Sequence, residues 1–461
     1  MIHLTLMMMS SRLRQILALA VVFYGANIHA FAALPAAGLE RFYIGTYSGA
    51  IYVSSLNYAS STNFGTNTFG TVSTAGNNTN DLGSFQPSLV ALTPSRNFLY
   101  SVDENNGTVL AYSVNPTNGI LKFINLKSSQ GQTPAYIVVD RSGSNVLVAN
   151  YNGPDANNGG TVSVFPIQTN GALGTATVLI QDPGISHAHC ITIDGNNHFV
   201  FVADLGLDQV RCFVFDPAAG TLTTNTTLIT PVPAGSGSRH MTFDPQYQRA
   251  YLICQNSSTI IGFNYDSTNG ILTPFQTNSA GGGVSAEIAV HPSGKFLYGS
   301  YRGDNSIVVF TINPTNGVFT QAQHLTTDAT PRNFAIDPTG AFCIVAAQDG
   351  STIKLYSINQ QTGVLTYADK FIAVSSPVCI LPFILKPPQP VASIFSDSSN
   401  NLEINLTNTM GLFSYQLYET PALSSGMNWN LLATGSPGQN NFVLSNALSE
   451  DFFRAGVLTN Y

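Results

Sequence analysis

Short apolar runs alternate with turn-forming polar clusters along almost the whole chain. Between Ser186 and Asp216 three such runs follow one another, at residues 190–193, 199–203 and 210–215. They are rich in Val, Ile and Phe and are separated by Asp194-Gly195-Asn196-Asn197 and by residues 206–209. Runs of this length and composition predict an antiparallel meander.

The same pattern recurs. First-strand matches are PSLVALTP (from Pro87), PAYIVVD (Pro134), HAHCITID (His187), RHMTFDP (Arg239), AEIAVHP (Ala286), PRNFAIDP (Pro331) and PVCILPFI (Pro377). Their starts differ by 47, 53, 52, 47, 45 and 46 residues. Except for the last, each is followed by a second strand, such as FLYSV or FVFVAD, and a third ending near an aromatic, such as VLAYSV or VRCFVF. Tight-turn signals such as Pro116-Thr117-Asn118-Gly119 then precede a fourth. Four strands at a period near 50 predict blades of a β-propeller.

The N-terminal unit is incomplete. RFYIGTY (41–47) matches a second strand and residues 51–56 a third, with no first strand ahead of them. The orphan PVCILPFI lies at the other end. Joining them completes a seventh blade and closes the ring without an open edge. The expected fold is all-β: a seven-bladed propeller over 39–385 closed by a C-terminal strand. Residues 386–390, KPPQP, form a stiff linker. Residues 391–461 form a small β-rich, sandwich-like domain.

Composition changes this picture little. The chain has 461 residues, of which only 9% are charged, and its net charge is -7. It has no basic run of the kind that binds nucleic acid. Residues 1–32 read as a signal peptide, with Arg12 and Arg14 ahead of an apolar core and Ala30-Phe31-Ala32 as an A-x-A site. The expectation is an exported (periplasmic or extracellular), monomeric protein with no membrane span after cleavage. Five cysteines without a CxxC argue for buried free thiols.

Blade topology sorts the reactive residues by face. The first-to-second-strand turns carry Arg96, Arg141, His198, Arg249 and Lys295, read as solvated turn residues on one face. First-strand starts and second-strand ends converge on the other. There stand His187, His189, Arg239, His240, Glu287, Arg332 and Asn333, joined by Glu104, Asp204, Tyr301 and Arg302. This set suits opening of a cyclic ester, which needs a base for water and a donor for the developing oxyanion. His189, with His187 or Glu287 beside it, is the candidate base. Arg239, Arg302 and Arg332 are candidate anion binders. Catalytic roles thus fall to His187, His189, Glu287 and Arg239, and substrate binding to Arg302, Arg332, Asn333, His240, Asp204 and Tyr301. No metal-ligand spacing and no cofactor fingerprint is present, so neither a metal nor a cofactor is expected; the alternative is a metal held by a histidine with Asp204 or Glu287. The partner would be a small lactone or acidic sugar derivative. The alternatives are an inert polar plug in a non-catalytic propeller that binds glycans or proteins, and a cofactor-dependent oxidoreductase.

On these residues the chain resembles the seven-bladed β-propeller lactonase family, which includes propeller-type 6-phosphogluconolactonases and carboxymuconate-lactonising enzymes. The motifs are SHAHCITID with VFVADLGLDQV, GSGSRHMTFDP, AEIAVHPSGKFLYGSYRGDNSIVVF, TPRNFAIDPTG and the opening RFYIGTYSG. The resemblance implies lactonase chemistry, with His187 or His189, Arg239, Glu287 and Arg302 at the active-site positions and Arg332-Asn333 nearby. Blade 5 reads YLICQNSST, with Gln255 where the family usually carries an Asn-Glu pair.

Overall fold

The computed structural model describes residues 40–57, 68–69, 73–76, 85–385 apart from 156–158, 183 and 280, and six strands between 391 and 458. The expected leader (1–32) and linker (386–390) lie outside the described residues.

Residues 38–385 form one compact unit. Six blades are four-stranded antiparallel meanders, each running in chain order. The remaining blade is built from both ends of the unit. Glu40–Thr46 is its second strand, Ile51–Asn57 its third, and the short pieces Thr68–Phe69 and Ser73–Gly76 both pair outside the third. Pro377–Ile384 supplies the innermost strand, antiparallel to Glu40–Thr46, with Glu40 opposite Ile384 and Gly45 opposite Cys379. The ring therefore has seven blades, closed by a C-terminal strand as the orphan repeat predicts. Blades are numbered here from this one, so blades 2 to 7 begin near Ser88, Gln132, Ala188, Ser238, Ser285 and Pro331.

The core lies between blades. One cluster joins Phe201, Val210 and Cys212 of blade 4 to Leu252, Ile261 and Phe263 of blade 5. Equivalent clusters join blades 2 and 3, 3 and 4, 5 and 6, and 6 and 7. A polar staple accompanies this packing. Tyr43, Tyr100, Tyr251 and Tyr298 hold one register position in their second strands. Each donates its hydroxyl to the carbonyl of a hairpin glycine in the next blade: Gly119, Gly171, Gly317 and Gly363, at 2.7, 2.9, 3.2 and 2.9 Å. Gly119 adopts φ +78, and a Cβ there would stand 3.3 Å from Phe383 and Val53. That turn needs glycine both for its conformation and for the close approach.

All five cysteines are free and buried. Burial pushes the Cys190, Cys212, Cys254 and Cys379 thiols up to about 12.

The turn arginines correct one expectation. Arg96 donates to the Ile384 carbonyl of the closing strand, Arg141 donates at 2.6 Å to the Asp194 carbonyl, and Arg249 at 2.8 Å to the Thr315 carbonyl. Arg141 also stacks over Tyr247 and bonds its hydroxyl. These side chains tie one blade to another rather than standing free in solvent. A guanidinium on a long stem can reach a neighbouring turn carbonyl while its methylenes stay on apolar surface.

Residues 391–458 are described only as strands. Val391–Ser396, Leu402–Thr407 and Asn441–Leu444 form one antiparallel sheet; Asn430–Thr434, Ser414–Thr420 and Phe452–Leu458 form another. Among the described residues no helix is long and apolar enough to cross a membrane.

Closure makes a direct prediction. A chain ending at residue 375 loses the innermost strand of blade 1 and should give no cooperative thermal transition. A chain ending at Pro388 should melt cooperatively. Differential scanning calorimetry of the two checks this.

Candidate functional site

The mouth of the channel is shaped by one irregularity repeated around the ring. In six blades the ladder between the innermost and second strands slips at the mouth end. Val378, Ala135, His189, Arg239 and Arg332 are each left without a partner across the ladder, and in blade 6 both Ala286 and Glu287 are. A bulge of this kind re-aims a side chain out of the strand's alternation. Two residues ahead of five of these positions the backbone is left-handed: Thr133 (φ 52), Gly237 (68), Val284 (48), Thr330 (58) and Ser376 (45). Positive φ is costly for β-branched Thr and Val. The packed ring holds the chain in this conformation.

Five of the bulge residues, Val378, Ala135, His189, Arg239 and Arg332, line a cavity of about 340 Å³ together with Ser88, Glu104, Thr133, Tyr151, His240, Gln255, Arg302 and Asn333. Six of the ten expected site residues meet there: His189, Arg239, His240, Arg302, Arg332 and Asn333. Glu287 lies directly beneath. Its Oε1 is 3.0 Å from His240 Nδ1 and accepts the Ile288 amide at 3.0 Å, and its Oε2 accepts from Asn333 Nδ2. Asn333 in turn accepts the Ile380 amide of the closing strand at 2.8 Å. A carboxylate only accepts, so the His240 proton sits on Nδ1 and its Nε2 keeps a lone pair. That Nε2 is buried and has no hydrogen-bond partner, and the same holds for Nδ1 of His189, 5.2 Å away between ring centroids.

Burial lowers the basicity of both imidazoles. His189 is pushed well below the ordinary histidine value, with Arg239, His240 and Arg332 adding to the effect. For His240 burial also wins, although Glu287 opposes it. Both rings are therefore neutral near pH 7.

The cations gather on blades 5 to 7, adjoining the histidines. Gln255 Oε1 accepts from Arg239 Nη1 and, at 2.8 Å, from Arg302 Nη2. Arg332 donates to the Tyr47 hydroxyl at 2.6 Å and lies over its ring, and Tyr47 donates to Glu104 at 2.8 Å. Arg239 is 3% exposed. Burial, then Arg302 and Arg332, lowers its guanidinium well below the usual arginine value. Burial, then Arg332, brings Arg302 down to about 10. These cations mutually repel in a low-dielectric space, and a neutral amide sits between two of them. An anion entering there would relieve that repulsion.

Three expected residues stand apart from the cavity. His187 stacks on Tyr151 at 4.2 Å and its Nδ1 is 3.0 Å from the Tyr151 carbonyl. Asp204 is fully buried. Its carboxylate accepts the amides of His187, Gly206 and Leu207 and the Ser186 hydroxyl, so it caps a turn. Tyr301 is fully buried in the cluster between blades 5 and 6. The reason is alternation. Asp204 and Tyr301 hold the last paired position of their second strands, while cavity residues come one position later. Tyr47, Glu104, Tyr151, Gln255 and Arg302 share that later position. Tyr47 and Tyr151 are the site residues sequence reasoning missed; shifting the alignment of second-strand ends by one residue finds both.

A family model described as "Lactonase, 7-bladed beta-propeller" matches residues 41–382. The chain belongs to this lactonase family. It is 32% identical over 270 residues to the 6-phosphogluconolactonase of Formosa agariphila, covering 54% of this chain and 74% of that one. It is 28% identical over 265 residues to the 6-phosphogluconolactonase of Bacillus subtilis, covering 54% and 73%. Among solved structures, a putative 6-phosphogluconolactonase from Bacteroides uniformis aligns with TM-score 0.66 at 30% identity, over 75% of this chain and 99% of that one. A periplasmic gluconolactonase of Pseudomonas aeruginosa shares the fold, with TM-score 0.67 at 24% identity over 75% and 99%.

Within this lactonase propeller, Gln255→Glu should place a carboxylate between Arg239 and Arg302. Charge-assisted bonds exceed neutral ones, a gain of about 1–2 kcal/mol. The expected outcome is a Tm raised by a few degrees and weaker binding of inorganic phosphate, read by calorimetry.

Proposed function

We propose that the chain is an exported lactonase that hydrolyses a sugar-acid lactone bearing an anionic group, in the manner of a 6-phosphogluconolactonase. The observation that carries this reading is the His240–Glu287 pair set against three guanidiniums in one cavity. Glu287, held by Asn333, orients His240 with its proton on Nδ1 and its Nε2 free, which is the arrangement of a base with its orienting carboxylate. This moves the base from His189, the candidate read from sequence, to His240.

In this mechanism His240 Nε2 takes a proton from water as the oxygen bonds to the lactone carbonyl carbon. The carbonyl oxygen becomes an oxyanion stabilised by the Arg239 guanidinium. Collapse breaks the bond to the ring oxygen, which receives the proton from His240. The product is the open hydroxy acid, and His240 returns to its starting state. Arg302 and Arg332 hold the anionic substituent, and His189 holds the attacking water.

His240→Ala should lower kcat by about 10²–10⁴ with little change in KM. Arg302→Ala should chiefly raise KM. Arg249→Ala, on the opposite face, should leave both unchanged if the variant folds. The base must be unprotonated, and its basicity is lowered by burial. Activity should therefore still hold at about pH 6.5, where an ordinary histidine is half protonated, and be lost only at lower pH. Steady-state hydrolysis of gluconolactones with and without a 6-phosphate, measured between pH 5 and 7, checks all four points. Absence of turnover on every lactone tried would overturn the enzymatic reading in favour of a binding module.

Export rests on the N-terminal pattern of charged, apolar and A-x-A segments. N-terminal sequencing of the protein from the producing cells should find Ala33 at or near the mature end, and retention of Met1 would remove the export claim.

A further inference from the structure

The catalytic cavity does not end at its own walls. Glu104 and Thr133 also line a second space of about 500 Å³ between blades 2 and 3. Its chemistry differs from that of the cavity. The side chains there include Asn105, Asn106, Ser128, Gln130 and Gln132, and among the described residues lining it there is no Lys or Arg. Leu179, 48% exposed, adds an apolar surface. Two of the amides are held in place: Asn106 Nδ2 donates to Asp103 at 2.6 Å and Gln132 Nε2 to the Pro154 carbonyl at 3.1 Å. The site is thus polarised, with guanidiniums on blades 5 to 7 and uncharged amides and hydroxyls on blades 2 and 3. Glu104, at the junction, disfavours an anion on the amide side.

Amides carry paired donors and acceptors that match vicinal hydroxyls, and an apolar side chain can meet the C–H face of a pyranose. We propose that this groove is a subsite for a neutral sugar unit attached to the lactone, so that the substrate is a glycosylated aldonolactone rather than a single sugar ring. The reaction part of this proposal rests on the lactonase reading, whereas the binding part does not.

The test compares cellobiono-1,5-lactone with glucono-1,5-lactone on the full chain. The wild type should show kcat/KM about tenfold or more higher for the disaccharide lactone. Gln132→Trp, which fills the groove from an exposed position, should erase that advantage and leave the monosaccharide lactone unaffected; Ser128→Trp serves the same end from another wall. Equal kcat/KM for the two lactones in the wild type, or an advantage that survives both substitutions, overturns the subsite. If neither of these uncharged lactones is turned over, the lactonase reading is judged on the 6-phosphorylated lactone, and calorimetry with the product cellobionate decides the groove. Binding weakened about tenfold or more by either substitution supports it, and binding that is absent in the wild type or unchanged in both variants overturns it.

Discussion

Everything at the mouth depends on the antiparallel pairing of Pro377–Ile384 with Glu40–Thr46. This pairing does more than remove two sheet edges. The closing strand presents the Ile380 amide to Asn333, and Asn333 holds Glu287. Blade 1 also presents Tyr47 to Arg332. The last link of the ring is therefore also a link of the polar network around His240. The tyrosine-to-glycine staples and the inter-blade arginine bonds hold the joints 1–2, 2–3, 3–4, 5–6 and 6–7 in register. A slip at any joint would move one member of the network relative to the next.

Within that frame, the repeated bulge is what converts a ring of sheets into a site. Without it, alternation would send every second side chain of the innermost strands back between blades. With it, His189, Arg239 and Arg332 leave the ladder and face the cavity. The cost is backbone strain at Thr133, Val284 and Thr330 and the desolvation of the Arg239 and Arg302 guanidiniums. Such costs persist where surrounding structure over-determines the conformation. Here it does so through carbonyls: Val284 accepts the Arg302 amide and Thr330 accepts the Gln348 amide.

The propeller and its closure were legible because they rest on apolar periodicity and turn residues, which repeat visibly. The arc of first-strand residues was legible too, since His189, Arg239 and Arg332 align across repeats, with Glu287 one position later. What failed was register at the second-strand ends. Asp204 and Arg302 look equivalent as polar residues ending a strand, yet they differ by one position and so by one face. A bulge leaves no compositional mark, and nothing in a run of letters says which of two adjacent residues is the last paired one. Residues such as Arg96 and Arg141 were misjudged for a different reason: their partners are backbone carbonyls, which every sequence offers everywhere.

The polar layer also explains why chemistry can belong to one face alone. Asn333 borders the mouth cavity and also a second space on the channel's far side, of about 480 Å³, which Glu287 and Tyr136 also line. The walls of that space are mostly strand residues such as Val90, Ile137, Ile288, Phe334 and Ile380. Glu287, His240 and Asn333 thus form a partition across the channel, with Tyr136 packed edge-on against His240. A substrate cannot pass through a partition built of buried, hydrogen-bonded side chains. The partition fixes His240 through Nδ1 and leaves its Nε2 unpartnered. In the proposed mechanism, binding and proton transfer are thereby confined to one mouth, and the opposite face is left to stabilise the ring.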